Sequence, residues 1–145
     1  MPHFTKPSPN LRTDGPVIEI RLAVASKYEQ TLIQNHQAVP EPVSVRALID
    51  TGSPITVIRE GIAERLNIDP AGVEWLTTAL SSYTQCPVYL VRLLFSHEDA
   101  GDAIEVTAAA VPLPYQNVEC LIGRDVLQHA VLTYIGFKNT FTLSL

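Results

Sequence analysis

Residues 46–58 read "RALIDTGSPITVI": an apolar run from Ala47 to Ile49, then Asp50-Thr51-Gly52-Ser53, then a second apolar run ending at Ile58. An acid at the end of what reads as a buried strand has two explanations. Asp, Gly, Ser and Pro are turn formers, so "IDTGSP" serves as a plain corner between two strands. The other explanation is catalytic. The rest of the chain decides between them.

The bulk properties narrow the field first. A chain of 145 residues makes one ordinary domain, large enough to bury its own core. With 46% hydrophobic and 17% charged residues, its composition suits a packed globular protein. A net charge of −5 without a Lys/Arg cluster argues against nucleic acid or an anionic membrane as partner. No apolar run reaches the roughly 18 residues that span a bilayer. The start, "MPHFTKPSPNLRTDGP", has no apolar signal core and is punctuated by proline. It reads as a flexible leader over 1–15, ahead of one domain over 16–145, and points to the cytoplasm.

Cys86 and Cys120 lack paired spacing and read as reduced core residues. The four histidines are scattered. "SHEDAGDA" at 96–103 reads as a solvated hairpin turn rather than a metal site. No metal or cofactor is expected.

Period-two alternation and short apolar runs bounded by Pro, Gly and Asn dominate the chain, which predicts a mainly β barrel or sandwich. Strands are expected at 16–25, 43–49, 55–58, 73–80, 86–95 and 103–111. A polar excursion separates the first two. A helix is expected over 59–68, where Ile62, Ala63 and Leu66 share a face and Asp69-Pro70 ends it. A short strand leading through Gly123 into a second helix is expected over 119–130. Two short strands around a Gly136–Asn139 turn close the chain.

The second informative stretch lies about seventy residues beyond the first: "CLIGRDVL", 120–127, two large apolar residues, then Gly123, then Arg124 and a helix. Together the two motifs, in this order on a strand-rich chain, resemble the retropepsin-like aspartic proteases, single-domain relatives of pepsin. The resemblance runs from about Pro16 to Leu145. It implies that the Asp-Thr-Gly loop (Asp50, Thr51, Gly52) carries the catalytic acid. It also implies that Leu121, Ile122 and Gly123 cross behind that loop and that Arg124 holds the fold or dimer together. Chemistry agrees. Amide hydrolysis needs one carboxylate to activate water and one carboxylic acid to protonate the leaving nitrogen. Two carboxylates held a few Å apart share one proton. Thr51 and Ser53 offer hydroxyls to orient the acid, and Gly52 lets the backbone come close to substrate.

Only one Asp-Thr-Gly is present, so a two-acid site requires a symmetry-related copy of Asp50 and hence a homodimer. In the family Thr51 would cross-link the two loops, and the terminal strands would contribute to the interface. The hairpin tip "SSYTQ" (81–85), with Ser82, Tyr83 and Thr84, resembles the flap that closes over substrate. "PLPYQN" (112–117), with Pro112, Leu113 and Pro114, resembles the loop that walls the substrate pockets, beside Ser53.

The chain also departs from the family pattern. Ser53-Pro54 stands where retroviral members carry Ala and then an acid that pairs with the arginine. Arg124 therefore needs another partner, either Asp125 or a carbonyl. The excursion over 26–42 is long, and the hairpin tip lacks glycine. The leading expectation is an aspartic endopeptidase acting on a peptide or protein substrate. The alternative is a catalytically silent peptide-binding or dimerisation module on the same fold. A metal- or phosphate-dependent hydrolase would need a second acidic motif or a glycine-rich loop, and neither is present.

Overall fold

The computed structural model describes residues 3–78, 82–95 and 103–145. Residues 79–81, which hold the end of the strand expected over 73–80 and the first residue of the expected tip 81–85, and residues 96–102, most of the stretch "SHEDAGDA", lie outside the described residues. The fold is mainly β, with 45% strand and a closed barrel of six strands. The barrel strands are β2 (Val17–Val24), β3 (Val43–Ile49), β4 (Val57–Arg59), β6 (Thr84–Leu94), β7 (Ala103–Val111) and β8 (Cys120–Ile122). Their order is β2-β3-β8-β4-β7-β6, closed by pairing of β6 with β2, and β5 (Gly72–Leu76) is added outside β6. Alternation made these strands legible. On β3, Val43, Val45, Ala47 and Ile49 are buried while Ser44 and Arg46 face out.

β8 lies between the strand that enters the Asp-Thr-Gly loop and the strand that leaves it. It runs parallel to β3, Ile49 opposite Ile122, and antiparallel to β4, Val57 opposite Leu121. This register puts Asp50 beside Gly123, although 73 positions separate them in sequence. A parallel pair needs a long crossover connection, here the whole hairpin and β7.

The stretch read as a flexible leader is built into the fold. β1 (His3–Pro7) pairs antiparallel with β10 (Thr140–Ser144), which pairs in turn with β9 (Val131–Ile135). The next turn of helix, α1 (Leu11–Asp14), inserts Leu11 into the core with no exposed surface. Burial of one leucine is worth about 1.5–3 kcal/mol, a small part of the cost of ordering the segment, so the β1–β10 pairing has to supply the rest. Phe141 and Leu143 of β10 are likewise fully buried in the same core.

The polar excursion contains a helix that periodicity did not reveal, α2 (Ser26–Gln34). Leu32 is its one buried residue. Its attachment is polar and non-local. Arg92 of β6 donates to Ser26 Oγ at 3.1 Å and pairs with Glu29 at 2.7 Å, and Glu105 of β7 accepts the Ser26 N–H at 2.6 Å. The helix expected over 59–68 is shorter, α3 (Ile62–Arg65), because Arg59 is drawn into β4 opposite Val111. The shared face of Ile62, Ala63 and Leu66 is buried as expected. α4 (Arg124–Leu127) follows β8. Cys86 and Cys120 are free and buried. Burial pushes both thiols up, helped by Glu60 at Cys86 and by Asp125 and Glu119 at Cys120, so neither is an activated nucleophile. Among the described residues no helix is long and apolar enough to cross a membrane.

Candidate active site

Asp50 sits at the mouth of the barrel, half-buried, its position set by backbone bonds. Its N–H donates to Ile122 O at 2.9 Å, and its own carbonyl accepts the Ser53 N–H at 3.2 Å. The Gly52 N–H donates to Asp50 Oδ1 at 2.9 Å, closing an Asx turn that aims the carboxylate. A Cβ on Gly52 would stand 3.1 Å from that oxygen, so glycine here keeps the carboxylate uncrowded.

Behind the loop the two motifs lock together. A Cβ at Gly123 would fall 2.4 Å from both the carbonyl carbon and the oxygen of Ile55, so glycine alone permits the crossing. The Gly123 N–H donates to Thr56 Oγ1 at 3.2 Å. Arg124 holds the loop at two points: its N–H donates to Ser53 O and its Nη1 to Thr51 O, each at 2.8 Å. Of the two partners open to Arg124 in the sequence, the carbonyl is therefore the one used. Asp125 does other work. Its Oδ2 accepts the N–H of buried Thr56 at 2.9 Å. Its Oδ1 accepts the Thr56 hydroxyl at 2.8 Å and the Val126 N–H at 2.9 Å. The Ser53 hydroxyl does not orient Asp50, as had been expected, because it donates to Ile55 O at 2.6 Å.

In front of Asp50 lies a cavity of about 360 Å³. Gly52, Ser53 and Leu121 form its floor with Asp50. Pro112 and Leu113 form one wall, and Tyr83 stands on the hairpin made by β5 and β6. Thr51, Ser82, Thr84, Pro114, Ile122, Gly123 and Arg124 do not line it. Thr51 and Pro114 are exposed, Ile122 and Gly123 lie behind the loop, and the Thr84 hydroxyl donates to Ser82 O at the hairpin end. Asp50 is the one charged side chain among the described lining residues. A single carboxylate can accept a proton but cannot also supply one to a leaving group in the same step. Among the described residues no cluster of three or more His, Cys, Asp or Glu is disposed to hold a metal.

A family model described as aspartyl protease matches residues 41–126, a span holding the Asp50 loop, the hairpin, the proline-rich loop and the Gly123–Arg124 crossing. The chain belongs to the aspartyl protease family. Its fold is similar to that of retropepsin-like aspartic proteases of known structure. A retropepsin-like aspartic protease from Rickettsia conorii superposes with a TM-score of 0.54 at 11% identity, over 98% of this chain and 90% of that one. The foamy viral protease-reverse transcriptase, solved with an RNA/DNA hybrid, matches with a TM-score of 0.50 at 16% identity. That match covers 83% of this chain and 13% of the much longer viral polypeptide. No curated protein matches the chain. At these identities the likeness to solved structures is one of fold.

Sequence reasoning named Tyr83 at the cleft but missed its partner Trp75, the anchor Arg59 and the Thr56–Asp125 pair. Trp75 and Tyr83 stack across the hairpin, ring centroids 5.2 Å apart and planes at 23°, and both line the cavity. Their signal was the strand register, which puts Trp75 opposite Gln85 and so diagonal to Tyr83. Arg59 anchors the proline-rich loop through the carbonyls of Leu113 at 3.2 Å, Val118 at 2.7 Å and Tyr115. The Thr56–Asp125 pair left no local signal, since its members lie 69 residues apart.

Proposed function

We propose that this protein is an aspartic endopeptidase whose site is completed by two copies of Asp50 across a homodimer axis. The observation that carries the reading is the Asp50 carboxylate, fixed by the Gly52 N–H at the floor of a cleft whose other described lining residues are uncharged. One ionised Asp50 takes a proton from water as the oxygen attacks the peptide carbonyl. Its protonated twin hydrogen-bonds the developing oxyanion and then supplies the proton to the departing nitrogen as the C–N bond breaks. The substrate is an extended peptide lying between the Asp50 loop and the β5–β6 hairpin. That hairpin acts as the flap, and the stacked Trp75 and Tyr83 give it an apolar underside. Thr51, exposed at the loop apex, faces its counterpart at the axis.

A digest of a mixed peptide library between about pH 4 and pH 7 tests the reading. Asp50→Asn is expected to lower cleavage by about a thousandfold or more with an unchanged circular dichroism spectrum. Excess Asp50→Asn chain added to wild type is expected to suppress wild-type cleavage, because mixed dimers hold one acid. Retained cleavage by the variant would overturn the mechanism. Cleavage that is indifferent to added variant would overturn the shared site.

A further inference from the structure

The proline-rich loop has two faces. Pro112 and Leu113 line the Asp50 cleft, while Gln116, Asn117 and Val118 border a second cavity of about 490 Å³. Tyr115 lines both, so the two cavities adjoin at that residue. Arg59 pins this dividing loop through the carbonyls of Leu113, Tyr115 and Val118. The opposite wall comes from the N-terminal segment, Arg12 to Gly15, and from Arg46 and Leu48 of β3. That wall is fixed as well. Leu11 of α1 is fully buried, and a Cβ on Gly15 would stand 2.8 Å from Leu48 Cδ1.

The two cavities differ in charge. The second holds two guanidiniums, Arg12 and Arg46, against one carboxylate, Asp14, in a chain whose net charge is −5. Arg46 is braced, its Nε donating to Asn117 O at 3.0 Å, and it also borders Glu19 and Glu119 in a shallower depression. Arg12 is exposed and makes no side-chain hydrogen bond or ion pair among the described residues. Asp14 stands two positions from it on α1, a spacing at which helical side chains do not face each other. Arg12 therefore offers its donors to a cavity that adjoins the Asp50 cleft.

We infer that this second cavity selects substrates with an acidic side chain, Asp or Glu, two or three residues from the cleaved bond, and that Arg12, aided by Arg46, recognises it. The inference rests on the proposed function and names its substrate class. The spacing comes from β3. Leu48 and Asp50 are two positions apart on extended backbone, about 7 Å, and with Ile49 buried between them they share the other face. An extended peptide advances by a similar step. A chain whose reacting carbonyl sits at Asp50 therefore passes Tyr115 and sets its second or third side chain over the cavity. A guanidinium presents a planar fork that meets a carboxylate through two parallel hydrogen bonds, with a charge attraction that a neutral amide lacks. The two-fold axis repeats the cavity, so an acid on either side of the bond meets an Arg12.

Extended peptide libraries that differ only in holding Glu, Gln or Lys at one fixed position test this, by cleavage in wild type and by fluorescence anisotropy with Asp50→Asn. In wild type, Glu is expected to exceed Gln by at least about fivefold in kcat/KM at the second or third position from the cleaved bond. Lys is expected to fall below Gln, and the ratios to shrink as salt rises. Arg12→Gln is expected to bring the Glu-to-Gln ratio within about twofold, and Arg12→Glu to favour Lys over Glu. A reversed preference cannot come from damage to the fold. A wild-type ratio within about twofold at every position, or a preference for Glu that survives both substitutions, would overturn this inference and leave the two-acid site standing. Preferential binding of Glu peptides by Asp50→Asn, with no cleavage by wild type, would overturn the proposed function and leave Arg12 in its role. Neither cleavage nor preference would remove both.

Discussion

Asp125 sits behind the Asp50 loop, and its replacement measures how firmly the two motifs are joined. Its two carboxylate oxygens take the Thr56 N–H, the Thr56 hydroxyl and the Val126 N–H. Thr56 is fully buried, so water cannot replace these bonds. In Asp125→Asn one amide oxygen remains, and whichever way the amide turns, its NH2 faces one of the two backbone N–H groups. The Val126 N–H also donates to Gly123 O at 3.2 Å, so the amide oxygen settles on the Thr56 N–H and the loss is one charge-assisted acceptor, at a cost of about 1–3 kcal/mol. Asp125→Ala orphans the Thr56 N–H and removes the acceptor of the hydroxyl, at a cost of about 2–6 kcal/mol. The assay is urea unfolding at one fixed protein concentration, because self-association would shift the midpoint. With a slope of about 2 kcal/mol/M, the alanine variant should lose about 1–3 M in midpoint, and the asparagine variant about half as much. An alanine midpoint within about 0.2 M of wild type, or an asparagine variant costlier than the alanine one, would refute the account of Asp125 as a satisfied buried acceptor.

Two further perturbations test the frame around the site. Gly123→Ala drives a methyl into the Ile55 carbonyl, backbone against backbone, and should cost more than about 3 kcal/mol. Scanning calorimetry should show a melting temperature lower by about 10 °C or more, and an unchanged value would refute the close-crossing argument. Glu105 is held below the usual carboxylate range by the Ser26 N–H first, then by the Ser26 hydroxyl and Arg92, which outweigh the upward push of burial. A depressed acid stabilises the fold while ionised, and the contribution disappears as pH falls through its folded value. Between about pH 5 and about pH 3, wild type should therefore lose more melting temperature than Glu105→Gln. Equal losses would remove Glu105 from the attachment of α2.

Much of the barrel was legible because its strands obey a local rule. Alternation on 17–24, 43–49 and 103–111 states which side chains face inward before any partner is known. The Asp-Thr-Gly loop and the Gly123–Arg124 turn were legible for a similar reason, since each needs small or turn-forming residues at a fixed offset. α2 escaped because one buried leucine gives no helical period, and its anchors, Arg92 and Glu105, lie more than 60 residues away. The N-terminal segment escaped because a strand of five residues around Lys6 and Pro7 has value only once β10 is beside it.

Sequence by itself thus determined the acid, its loop and the glycine that must cross behind it. Each is a matter of residue type and spacing along one short stretch. Tertiary structure alone decided that Arg124 holds Thr51 O and Ser53 O, that Asp125 satisfies Thr56, and that Trp75 and Tyr83 roof the cleft together. Those are contacts between residues far apart in the chain, and such pairs have no local signature because the chain's closure, not its neighbours, brings them within hydrogen-bonding reach.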